Sequence, residues 1–141
     1  MIDVEPIVFT AIYEAVKNKY PNAFLTSIPL NMPKEFPCVS VVEIDNYTYT
    51  PSQDDENQEH HANVTYEINV YTDKEDTNKD EAKEIMGVVD NEMQNMKFTR
   101  MSMLPTPNLD RTKYRITARY RAVVSEPTII DGEEKYFIYR K

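Results

Sequence analysis

Two adjacent histidines, His60 and His61, are the chain's imidazoles, the side chains best suited to move a proton near neutral pH. A general base must also be held in one pose against a nucleophile. The polar residues around this pair supply no apolar wall to hold it, so it reads as two solvated loop histidines. Metal binding is no better served. Neighbours on an extended strand point to opposite sides, and neither the H-x-x-H nor the H-E-x-x-H spacing is present. Two carboxylate runs follow, Asp54-Asp55-Glu56 with Glu59, and Asp73, Glu75 and Asp76. A calcium loop needs oxygen ligands at alternate positions, a glycine at the sharp turn and a terminal bidentate glutamate. Neither run has them, and both read as solvated turns. The single thiol, Cys38, opens an apolar stretch with no basic residue nearer than Lys34, which describes a buried, inert cysteine. Gly87 and Gly132 are the two glycines and stand far apart, so no glycine-rich phosphate loop can be built. These residues predict a protein without catalytic, cofactor or metal centre.

The charges that do form a pattern are cationic. Arg115, Arg119 and Arg121 alternate with Ile116, Ala118, Tyr120 and Ala122, which places them on one face of a strand. That face is then either solvated or an intersubunit contact, with acids such as Asp54, Asp55, Glu56, Glu59, Asp73 and Asp76 as its complement. The asymmetry extends to the whole chain. Residues 111–141 carry four acids and eight bases, against a net charge of -8 for the full sequence. An acidic surface of this kind repels polyanions, which argues against simple DNA or RNA binding.

These side chains must be positioned by a core, and 141 residues with 40% hydrophobic content and ten Tyr are enough for one domain. Its core is expected over residues 5–125. One cysteine suits a reducing compartment, and neither a membrane span nor a signal peptide is expected. Residues 6–20 read as a helix with Pro6 in its first turn and Val8, Ile12, Ala15 and Val16 on one stripe. Pro29, Pro33 and Pro37 mark a connector. Residues 38–44 read as a strand extending toward 50, residues 51–59 as a polar loop and residues 62–72 as the clearest strand. Asn78 or Asp80 is the expected cap of a second helix running to Met96 with Ala82, Ile85, Met86, Val89, Met93 and Met96 facing the core. Gly87 inside it costs about 1 kcal/mol relative to Ala and implies close packing. Residues 98–104 and 113–124 complete the strands, with Met101 and Met103 read as core filler. Asp131-Gly132 is a favoured two-residue turn, which predicts a terminal hairpin over residues 128–140. The fold class is α+β: an antiparallel or mixed sheet with two helices on one face, in the order α-β-β-α-β-β plus the hairpin.

Several of these segments carry a likeness. Residues 64–71, the turn with Asp73 and Lys74, the helix with Glu81, Met86, Val89, Asp90 and Met93, Phe98 with Arg100, Asn108-Leu109-Asp110 and the strand 115–122 come in sequence. Together they resemble the tail completion or tail terminator proteins of long-tailed bacteriophages, a group that includes head–tail joining components. The resemblance spans about residues 5–125. It implies a non-enzymatic virion protein that forms a ring, commonly a hexamer, at the head-proximal end of the tail tube. Its partners would be the tail tube protein and the head connector, with DNA passing through unbound. The hairpin at 128–140 has no counterpart in that pattern, and Tyr136, Phe137 and Tyr139 make it a candidate docking strand. The competing reading is a small protein-binding module that grips its partner through this Tyr-rich terminus.

Overall fold

The computed structural model of the chain describes residues 1–49, 60–74, 76–107 and 112–140. The first helix, α1 (Glu5–Lys19), starts with a proline in its first turn and buries Val8, Ile12 and Val16 along one stripe. Strand β1 (Phe24–Thr26) follows, then β2 (Cys38–Thr48) and β3 (His61–Thr72). Helix α2 (Asn78–Asn95) buries Ala82, Ile85, Met86, Val89 and Met93. Strands β4 (Thr99–Pro105) and β5 (Tyr114–Ser125) follow. Three short strands complete the described residues: β6 (Thr128–Ile130), β7 (Glu133–Lys135) and β8 (Ile138–Arg140).

The main sheet runs β1-β2-β3-β5-β4, with β8 also paired to β5. Only β1 and β2 are parallel within it, so the sheet is mixed and the domain α+β. Alternation on the two central strands decides which face each residue takes. Val64, Tyr66, Ile68 and Val70 of β3 lie beside Ile116, Ala118, Tyr120, Ala122 and Val124 of β5, and the buried stripes of both helices join them in one core. Both helices therefore cover the same face. The ring of Phe98 stands edge-on to Tyr66 with centroids 5.6 Å apart. Its position is fixed by the end of α2. The Phe98 N–H donates to the Met93 carbonyl and the Lys97 N–H to the Gln94 carbonyl, both at 3.0 Å, with Lys97 at φ 73°. This is a Schellman ending with lysine where glycine is usual.

Several expectations need correction. Thr77, not Asn78 or Asp80, flanks the start of α2, and it makes no side-chain capping bond. Gly87 is exposed, and a Cβ added there would meet nothing within 4 Å, so close packing is not its reason. Met101 and Met103 are exposed on β4, the edge strand of the main sheet. Core packing reaches outside residues 5–125: Ile2 and Val4 are buried, and Tyr136 and Ile138 pack against the same cluster. The expected hairpin over 128–140 is two units. Residues 128–135 form the hairpin, with Asp131 and Gly132 both at positive φ as a type I′ turn demands. Residues 138–140 return to the main sheet beside β5.

Candidate functional site

Opposite the helices, β3 and β5 present a ladder of polar pairs. Their register sets Thr65 against Arg121, Glu67 against Arg119, Asn69 against Thr117 and Tyr71 against Arg115. Side chains facing across such a ladder touch directly. Arg119 donates from Nε and from its terminal nitrogen to Glu67 Oε2 at 3.1 and 3.0 Å. Asn69 Oδ1 accepts from Arg115 Nε at 2.9 Å and from Thr117 Oγ1 at 2.6 Å. Thr106 Oγ1 donates to Thr117 Oγ1 at 2.6 Å, and the Arg115 guanidinium lies 5.3 Å from the Tyr71 ring centroid. Arg121 differs. Its Nε is buried and has no hydrogen-bond acceptor. The three arginines thus share one face, as their alternation predicts, and Glu67 is the carboxylate partner of Arg119 across the ladder. From sequence Glu67 is one polar residue of an alternating strand, and no local spacing assigns it to Arg119. An exposed pair of this kind is worth no more than about 1 kcal/mol.

The expected acidic complement divides. Asp54, Asp55, Glu56 and Glu59 lie outside the described residues. Asp73 and Asp76 are exposed in the turn between β3 and α2, at the end of the sheet where Tyr114 and Arg115 begin β5. At the opposite end, the C-terminal residues are arranged in two ways. Tyr136 packs on the core, while Phe137 and Tyr139 are half exposed. Ser125 and Phe137 clamp the stem, with the Ser125 N–H on the Phe137 carbonyl and the Phe137 N–H on Ser125 Oγ, both at 2.8 Å. Arg140 then donates to Gln94 Oε1 and to the Gln94 carbonyl. The strand expected to dock a partner is therefore already paired within its own chain.

His60 is a partly exposed loop residue as expected, but His61 is not. His61 opens β3 opposite Ser125, with the rings of Tyr49 and Tyr139 6.2 and 5.7 Å away, and its Nδ1 is buried without an acceptor or donor. His60 Nδ1 lies 3.0 Å from Glu126 Oε1. Cys38 is fully buried, and burial, with a smaller contribution from Glu35, pushes its thiol up to about 12. That leaves almost no thiolate at neutral pH.

A cluster that sequence reading did not find joins Asp3, Glu5 and Glu43, whose carboxylate oxygens approach within 4.8 Å. No spacing rule links residues 3 and 43; they meet because β2 runs beneath the start of α1. Burial is the main cause holding the Glu43 carboxyl above its ordinary 4.5, Asp3 and Glu5 add to it, and hydrogen bonds from Tyr66 and Asn46 oppose it. A raised folded-state value means that this group favours folding most when protonated, and the contribution is lost as pH rises through that value. Glu43→Gln keeps both acceptor contacts on one oxygen and removes the charge. It is expected to unfold at higher urea than the parent at pH 7, with the gap closing toward pH 4.

Between α2 and β4 a cleft of about 280 Å³ opens on the helix side of the sheet. Met86, Met103, Leu104, Pro105, Tyr114 and Ile116 line it, and Gly87 leaves it uncovered. Lys83 stands at its rim with Asp90 and Arg100, which pair at 3.2 Å; Asp90 also accepts from the Tyr120 hydroxyl at 2.7 Å.

No protein-family model matches the chain, and no curated protein matches it in sequence. Among the described residues, no helix is long and apolar enough to cross a membrane.

Proposed function

We propose that the chain is a structural virion protein that caps the tail tube as a ring, a hexamer, and joins tail to head in a long-tailed phage or prophage. The observation that carries the reading is the arginine face: three guanidinium groups on one strand of an acidic protein, with Glu67 as the carboxylate across the ladder. Such a face is built to meet acids from elsewhere, and Asp73 and Asp76 lie exposed to serve a neighbouring copy. The sequence likeness to tail terminators supplies the rest. An acidic wall also suits a channel that DNA must cross without sticking.

Arg121 gives the sharpest substitution. Its Nε gains no internal acceptor, so Arg121→Met is expected to leave the urea midpoint of the subunit nearly unchanged while weakening assembly tenfold or more in sedimentation. Assembly at parental strength would remove this face from the seam. Negative-stain microscopy of concentrated protein tests the ring itself. Closed six-fold rings with an open channel are expected, and isolated particles at every concentration contradict the reading. Isolated particles would instead favour a binding module gripping its partner through the half-exposed Phe137 and Tyr139.

A further inference from the structure

The hairpin β6–β7 is a knob without a socket on its own chain. Every residue from 126 to 135 is exposed, including Ile129 at 73% and Ile130 at 41%. A lone two-stranded hairpin is marginal in water, and exposed isoleucines on it gain nothing unless something covers them. The same segment carries Asp131, Glu133 and Glu134 against Lys135 alone, which makes the knob acidic as well as apolar.

The cleft between α2 and β4 has the opposite character. Its lining is mostly apolar, with Lys83, Arg100 and Asp90 beside it; Asp90 pairs with Arg100, which leaves Lys83 as the surplus cation. At about 280 Å³ it falls just below the range for small-molecule pockets, roughly 300–1,000 Å³, and suits an inserted branched side chain better than a metabolite.

Position then decides which chain supplies the knob. The hairpin is rooted at Ser125, the last residue of β5, whereas the cleft is lined by Tyr114 and Ile116 at the start of that strand. In the folded subunit the hairpin stays out of its own cleft, with Ile129 73% exposed and the stem clamped at Ser125. Knob and socket at opposite ends of one strand define a heterologous contact, which closes into a ring when the rotation permits.

We infer that the β6–β7 hairpin of one copy seats Ile129 in the α2–β4 cleft of the next, with its acids toward Lys83. This rests on the ring reading for the number of copies only and adds the contact that joins them.

Cross-linking between two variants, each with one added cysteine, tests it. One carries Ile129→Cys and the other Gly87→Cys, an exposed helical site at the cleft where a Cβ meets nothing within 4 Å. Cys38 is buried and held as the thiol, so it does not compete. Under mild oxidation, up to the highest soluble concentration, the mixture is expected to give a covalent heterodimer several times more abundant than Ile129→Cys mixed with Ile44→Cys, a half-exposed site on β2. A yield no higher than that control overturns the inference. So does an intramolecular disulfide in the chain carrying both Ile129→Cys and Gly87→Cys. The two readings fail separately. A ladder from the double variant that closes at a number other than six keeps the contact and removes the hexamer. Six-subunit particles without the cross-link keep the ring and remove the contact.

Discussion

Ile129→Ser is expected to raise the concentration needed for half-assembly about tenfold, while leaving the folded subunit intact. Full burial of an isoleucine is worth about 1.5–3 kcal/mol. Ile129 is 73% exposed in the free subunit, so covering it contributes about 1–2 kcal/mol to one seam, a factor of about ten. The side chain lies outside the core cluster, and surface changes of this kind shift stability by about 0.5 kcal/mol or less. Sedimentation velocity reads the assembly and urea unfolding reads the subunit. Loss of assembly with an unchanged urea midpoint is the expected pair of results. Assembly at parental concentrations would show that the hairpin is not part of the seam.

Phe98→Ala is expected to be the most damaging single truncation, lowering subunit stability by about 3–5 kcal/mol. Phe98 is fully buried, stands edge-on to Tyr66, and closes the end of α2 through its backbone bond to Met93. The cavity would open between α2 and β3, where neither the helix nor the central strand can collapse to fill it. Total stabilities of small domains are about 5–15 kcal/mol, so the variant sits near the threshold of unfolding. Urea denaturation gives the difference directly. A loss below 1 kcal/mol would mean that the ring is not part of the packed core.

The regular core was legible because its signals are periodic. Helix stripes at Val8, Ile12 and Val16 and at Ile85, Met86 and Val89, and alternation in residues 64–70 and 114–122, each specify one core face. What escaped reading lacks a period. Phe24–Thr26 is a three-residue edge strand before a run of prolines, held by its parallel pairing to β2 and by Leu25 in the core. At the C-terminus the Asp131-Gly132 turn was plain, yet the returning strand Glu133–Lys135 contains no apolar residue. The apolar residues 136–139 looked like that strand and belong partly to β8, whose place beside β5 is a long-range pairing that no local pattern encodes. His61 was misread because the polar stretch before it hid the start of β3, while its aromatic neighbours Tyr49 and Tyr139 are distant in sequence. The arginine face was visible from alternation alone. Its internal partner Glu67, the α2–β4 cleft and the cluster of Asp3, Glu5 and Glu43 required the fold.

Head-to-tail closure of six copies through charged and apolar seams has a direct readout in absolute mass, by light scattering behind size exclusion across a tenfold concentration range at low and moderate salt. A species near six times 16.5 kDa is expected at the upper concentrations, weakened as salt screens the ionic part of each seam. A single-subunit mass at every concentration and both salt levels would contradict it.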